Sequence, residues 1–577
     1  MGVAARMITA PTISGLARAT SGLTRAKSGL GRAGAGLRLV PVTTTETPMP
    51  PTPQADRPSR YDRWRVRVAA DPGLERLYGW LAPLLVTALA GILRFWNLGH
   101  PHSLVFDETY YVKDAWSQWN LGYAAAWPDG ADASFVAGQT DIFTTDPSFV
   151  VHPPLGKYLI GVGMWLFGPD NSFGWRFAAA LFGTALVLLL FFVARSLTRS
   201  TVFATVASFL LAIDGLGIVM SRVALLDVFL AFFVLLAFWF VVIDRTRALD
   251  RLAARTSAIS RGGEPPRWGP VLWNRPWIIA AGAAAGAATA VKWSGVWVIA
   301  AIGLYLVVTD ALERRRLGYT FWPTDAVRQG LASFVLLVPV AAVIYLASWT
   351  GWLVTDGGYD RHAADASPAT GLFAWVPLSI QSLWKYHTTI YSSMTGMTSP
   401  HSYASPAWQW ALLLRPTSMY AQATPGGESG CIGGDAGCLD ILYSMPNPLL
   451  WYASIVATVF LVYRFVLVRD WRYAVVLVGI AATWLPWMAY PERTIFQFYT
   501  IAIWPFLLLA LTFALQHIAG GASESTASPL RRKTGQRVVL VFLGVAIALS
   551  VFWYPLWSGM QVPYEFYRLH NWIQGWV

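Results

Sequence analysis

The chain has 577 residues, of which 55% are hydrophobic and only 13% charged. A soluble domain carries about 25% charged residues, so a water-soluble globular class is excluded; recurrent apolar runs of about 20 residues match the thickness of a bilayer core. The formal net charge of +12 does not point to nucleic acid, because the arginines gather in alternate loops, as an orientation signal does. The short alternating segments of a membrane barrel are not found.

Residues 1–75 are basic, rich in Gly, Ala, Ser and Thr and then in Pro, and carry no acid before Glu46. Short copies begin at Ser14, Ser21 and Ser28 but are too Gly-rich for a coiled coil. The composition imitates a transit peptide. It reads as a disordered cytoplasmic tail or an over-called start codon. A membrane domain over 76–560 follows, with eleven expected spans near 77–97, 173–195, 202–219, 224–243, 276–291, 293–309, 330–350, 447–468, 473–490, 496–516 and 536–556. With the N-terminus in the cytoplasm, the clusters Arg63/Arg65/Arg67, Arg195/Arg199, Arg245/Arg247/Arg251/Arg255, Arg314/Arg315/Arg316, Arg464/Arg469/Arg472 and Arg531/Arg532/Lys533 all fall inside. Two long external loops remain, 98–172 and 351–446, with an external tail at 561–577. Loops of this length in compact proteins are usually functional or partly structured.

The first loop opens with Asp107-Glu108, two carboxylates just past a membrane span, where ionisable groups are functional hypotheses by default. Neighbouring helical side chains point about 100° apart, so one can face a reacting centre while the other anchors the loop. Clustered carboxylates raise each other's proton affinity, which suits a general base near neutral pH. The plainer reading is a helix N-cap or a solvated turn. Further on, His152-Pro153-Pro154 precedes a helix too short to span, which reads as interfacial. Its Lys157 either snorkels or attracts a phosphate. Arg176, Arg222, Lys292 and Arg493 stand at membrane depth or its rim and each needs an anion. Asp214 and Asp227 flank Arg222 and offer it a structural partner, whereas arginine also suits bidentate phosphate binding.

His100, His102, Asp107, Glu108 and His152 lack the spacing of a helical metal site, and no metal or other cofactor is expected. No phosphate-binding lysine loop or dinucleotide fingerprint occurs. Cys431 and Cys438 share the second loop as a small disulfide or as two free thiols; they are too few for zinc.

These blocks carry a resemblance. Phe106-Asp107-Glu108 with Tyr110-Tyr111, His152-Pro153-Pro154-Leu155-Gly156-Lys157, Gly174-Trp175-Arg176-Phe177, Ser221-Arg222-Val223-Ala224-Leu225-Leu226-Asp227 and Ala290-Val291-Lys292-Trp293-Ser294-Gly295 resemble successive motifs of the protein O-mannosyltransferases. So do Trp384-Lys385-Tyr386-His387, His401-Ser402-Tyr403-Ala404-Ser405 and Arg493-Thr494-Ile495-Phe496-Gln497-Phe498-Tyr499, with Gln497 where eukaryotic members often carry His. The resemblance covers roughly 75–570 and is to the bacterial, actinobacterial type. Loop 351–446 leaves no room for the β-trefoil domain of the eukaryotic members.

It implies an all-α polytopic membrane fold of the C-superfamily glycosyltransferases. It implies mannose transfer from polyprenyl-phosphate-mannose to Ser/Thr hydroxyls of secreted proteins, with inversion, at the outer face of the cell membrane. Expected partners are that lipid donor, membrane lipid and Ser/Thr-rich acceptors met at the Sec translocon. Expected roles are Asp107 as base, Glu108 as orienter of acceptor or loop, and Arg176, Arg222, Lys292 and Arg493 as holders of the donor phosphate. His152, Lys157, His387, His401, Gln497 and Tyr499 are further candidates for the acceptor or donor site. The alternatives are a C-superfamily transferase acting on a lipid or glycan, and a transporter, although no internal repeat of the transporter kind is seen.

Overall fold

The computed structural model describes residues 59–260, 267–520 and 529–576. The expected tail up to residue 58 lies outside the described residues. The part of it from 60 onward is not disordered. Ser59 accepts a hydrogen bond from the Asp62 amide and starts helix α1 (Arg60–Ala70). Trp64 of α1 packs edge-on against Tyr78 of α2 (Pro72–Phe95), at 5.3 Å between rings. Asp71 caps α2 through the amides of Gly73 and Leu74, with Pro72 at the first helical position.

The segment 98–172, expected as the first external loop, holds α3 (Glu108–Leu121), α4 (Ala131–Val136) and α5 (Leu155–Phe167). Then come α6 (Ser172–Thr198), α7 (Thr201–Ala212), α8 (Gly215–Val219), α9 (Asp227–Ser260), α10 (Pro276–Val291), α11 (Gly295–Arg316) and α12 (Trp322–Ser348). The second loop contains α13 (Thr350–Val354) and α14 (Leu378–Thr395). The last helices are α15 (Pro448–Val468), α16 (Trp471–Trp484), α17 (Trp504–Ile518), α18 (Pro529–Ser558) and the short α19 (Tyr564–Arg568).

Among the described residues, eight helices are long and apolar enough to cross a bilayer. The expected spans 202–219, 276–291 and 496–516 fall instead on α7, α10 and α17, helices of 12, 16 and 15 residues. The second span in that group shows why a short helix suffices locally. Gly282 and Gly286 of α10 lie against the backbone of α12, where an added Cβ would come within 2.5 Å of the Leu337 and Ala341 carbonyl oxygens. Small residues four apart let two helices approach to backbone contact where lipid supplies no hydrophobic drive.

The expectation of an all-helical chain needs one amendment. An antiparallel sheet in the order β1 (Thr417–Thr424), β2 (Cys438–Ser444), β3 (Gln561–Pro563) joins the second loop to the C-terminal tail. A disulfide between Cys431 and Cys438 closes the connection leading into β2. The expected free tail 561–577 is part of this unit. It supplies β3, and Trp576 is buried, donating to the Leu413 carbonyl at 2.6 Å and accepting from the Tyr443 hydroxyl at 2.7 Å.

Candidate active site

The chain turns sharply just before α3. Phe106 has φ of 48°, a left-handed conformation that a bulky residue adopts only when its surroundings hold it there. Its ring is wedged edge-on against His401, Phe496 and Phe498 at 5.4–5.8 Å. The turn separates the two carboxylates.

Glu108 is wholly buried. Its Oε1 accepts from Arg176 Nε at 2.8 Å and from the Ala224 amide at 2.7 Å; its Oε2 accepts from Arg176 Nη2 at 2.8 Å and from the Val105 amide at 3.0 Å. Glu108 therefore ties α3 to α6 and to the turn before α9, and satisfies the amide three residues back. Asp107 occupies the cap position of α3 but caps nothing. Its half-buried carboxylate makes no hydrogen bond or ion pair among the described residues. Burial raises its pKa to about 6, with Lys292 pulling down and Asp227 pushing up.

The four cations expected to hold phosphate divide into two pairs. Arg176 is not available: besides Glu108 it donates to the carbonyls of Pro101 and Ser103 at 2.9 Å. Arg222 is not available either. It donates to the carbonyls of Arg94, Trp96, Asn97 and Ser558 at 2.5–3.1 Å, capping the end of α2 and fastening it to α18. Its expected carboxylate partners are engaged elsewhere. Asp214 accepts from the amides of Gly217 and Asn447, and Asp227 grips Lys292 Nζ with both oxygens at 2.8 Å.

Lys292 and Arg493 instead line one cavity of about 460 Å³. Lys292 sits at the joint between α10 and α11, its ammonium 4.7 Å from the centre of the Tyr499 ring. The Arg493 guanidinium lies 5.3 Å from the Trp487 ring and has no carboxylate partner among the described residues. His152 and His387 also line the cavity. Burial, then Lys292, Lys157 and Arg493, hold the His152 pKa well below its usual value, so that ring is neutral.

Three other candidates are placed apart from the cavity wall. Lys157 neither snorkels nor faces it, standing buried 3.3 Å from Asp114. His401 packs its ring against Phe106 and Phe496. Gln497 is fully buried, and neither end of its amide finds a partner among the described residues. The residues weighed for a metal site are likewise drawn apart: His100 faces Asp440, and His102 meets Ser172 and the Val136 carbonyl. The Asp227–Lys292 pair was not found from the sequence. The available signal was that Asp227 opens one span and Lys292 ends another, each requiring a counter-charge.

The fold is shared with a solved structure, the S. cerevisiae protein O-mannosyltransferase Pmt1-Pmt2 complex bound to the sugar donor. The TM-score is 0.64 at 15% identity, over 86% of this chain and 92% of that one. Residues 151–249 match the family described as dolichyl-phosphate-mannose-protein mannosyltransferase, and residues 379–576 match the C-terminal four-TMM region of protein-O-mannosyltransferase. A polyprenol-phosphate-mannose–protein mannosyltransferase of Mycolicibacterium smegmatis is 33% identical over 518 residues, covering 87% of this chain and 94% of the relative. Its counterpart in Mycobacterium tuberculosis is 32% identical over 526 residues, covering 89% and 94%. The chain belongs to the polyprenol-phosphate-mannose–protein mannosyltransferase family.

Proposed function

We propose that this protein transfers mannose from polyprenyl-phosphate-mannose to Ser or Thr hydroxyls of exported proteins. The observation that carries the reading in this chain is the unpartnered Asp107 carboxylate, which feels Asp227 and, on the wall of the cavity, its partner Lys292. An acceptor hydroxyl attacks the anomeric carbon as the bond from that carbon to the phosphate oxygen breaks. The hydroxyl proton passes to Asp107, and polyprenyl phosphate leaves carrying the bond's electron pair. Lys292 and Arg493 balance the charge that grows on the phosphate, the kind of fixed stabilisation that acts most strongly in a site shielded from water. A single displacement of this kind inverts the sugar carbon and needs no glycosyl-enzyme.

The reading extends to the setting. Arginines in alternate loops support a cytoplasmic N-terminus, with the cavity and Asp107 on the outer side of the cell membrane and acceptors arriving unfolded from the Sec translocon. The test is the purified protein in lipid with synthetic polyprenyl-phosphate-mannose and a Ser/Thr-rich peptide. Mass spectrometry should show hexose on the peptide; hexose found solely on lipid or released free would overturn the assignment.

Arg493→Ala should raise the donor KM roughly 10- to 100-fold, the worth of one charge-assisted contact of about 1.5–3 kcal/mol, with the acceptor KM unchanged. An unaltered donor KM and kcat would remove Arg493 from the phosphate site.

A further inference from the structure

Three cavity-lining residues from three elements form a continuous hydrogen-bond chain. Trp293 follows Lys292 at the α10–α11 joint, Tyr345 belongs to α12, and His387 belongs to the external helix α14. Trp293 Nε1 donates to the Tyr345 hydroxyl at 2.9 Å. The Tyr345 hydroxyl meets His387 Nε2 at 2.5 Å, and His387 Nδ1 meets the Leu383 carbonyl at 2.6 Å.

The direction of every proton follows. A carbonyl can only accept, so Nδ1 carries the imidazole hydrogen. The neutral ring, its pKa lowered by burial, then presents a bare Nε2 that accepts the tyrosine O–H, and the tyrosine oxygen accepts the indole N–H. No donor in the chain is left over. Tilted ring contacts reinforce it: the His387 ring lies 5.2 Å from Trp293 and 5.1 Å from Trp349.

The two ends of this chain lead to the two cations. On one side Trp293 is bonded to Lys292, in a joint where the backbone leaves helical geometry and Lys292 is extended at φ −145°. On the other side α14 carries Met394, whose sulfur is 3.7 Å from Arg493 Nη2. The chain therefore connects the joint that carries Lys292 with the helix that contacts Arg493.

We propose that Trp293, Tyr345 and His387 are positioning residues that latch α14 to the α10–α11 joint and so set the spacing of Lys292 and Arg493 across the donor phosphate. The inference rests on the reading of this cavity as the donor site. None of the three contributes charge; each acts through the geometry of the cations.

The test compares Tyr345→Phe, His387→Asn and the double variant, using synthetic polyprenyl-phosphate-mannose and a Ser/Thr peptide. Tyr345→Phe should raise the donor KM about tenfold, the scale of one hydrogen bond near 1.4 kcal/mol. The acceptor KM, kcat and unfolding temperature should stay within twofold or within a degree or so of the parent. The double variant should be no worse than the poorer single variant, as expected for groups acting in one chain. An unchanged donor KM, additive effects, or a rise of both KM values together with a fall in kcat and thermal stability would overturn the latch while leaving the activity assigned. Absence of peptide mannosylation by the parent protein would overturn the activity, and the latch with it.

Discussion

Asp107→Asn should lower kcat/KM for mannosyl transfer by about 10²–10⁴-fold, the usual contribution of a positioned general base, in a protein that still inserts and folds. Asparagine keeps the size of the side chain. The carboxylate it replaces holds no cap and no ion pair among the described residues, so the fold loses nothing it was using. With a pKa near 6, Asp107 is a base only when deprotonated. Turnover should therefore be full well above pH 6, half-maximal near 6 and lost below it, and the Asn variant should lose that limb of the profile. Near-parental turnover of Asp107→Asn in the purified assay would remove it from the chemistry.

The neighbouring position should behave in the opposite way. Glu108→Ala leaves the Arg176 guanidinium buried without its carboxylate and two amides without acceptors. Breaking one side of a buried pair typically costs about 3–5 kcal/mol, a large part of the roughly 5–15 kcal/mol that holds a domain folded. The measurable outcome is loss of folded protein after extraction, or a large fall in unfolding temperature. Glu108→Leu with Arg176→Met should recover part of that loss, since matched apolar replacement is tolerated better than an orphaned charge. Recovery should stay incomplete, because Arg176 also holds the Pro101 and Ser103 carbonyls. A Glu108→Ala protein of normal stability and depressed kcat would instead place this carboxylate in the reaction.

The contrast between adjacent acids shows what sequence patterning can and cannot carry. That the pair lay just past a helix long enough to cross a bilayer was legible from apolar runs, which are local signals. Which acid was free was not, because the answer depends on Arg176, 68 positions away, and on the Ala224 amide, 116 away. The same limit applied to the cations. A cation at membrane depth demands a partner, and from the sequence a ligand phosphate, a carboxylate and a row of carbonyls are equivalent answers. Arg222 found carbonyls, Lys292 found Asp227 from 65 positions away, and Arg493 has no carboxylate among the described residues. The sheet was missed for another reason. β1 and β2 lie in a loop rich in glycine and proline, and β3 comes from the far end of the chain, so no local alternation announced a three-stranded unit.

On the proposed orientation, the Cys431–Cys438 bond becomes a marker of how the chain was threaded. A pair of thiols stays reduced on the cytoplasmic side and oxidises on the far side of the membrane. With loop 351–446 placed outside as proposed, the bridge forms after its export. In cells, the fraction of chains whose thiols resist alkylation until a reductant is added becomes a clock for completed topogenesis. Assembly of the outer face should lag insertion of the spans by the time that oxidation takes.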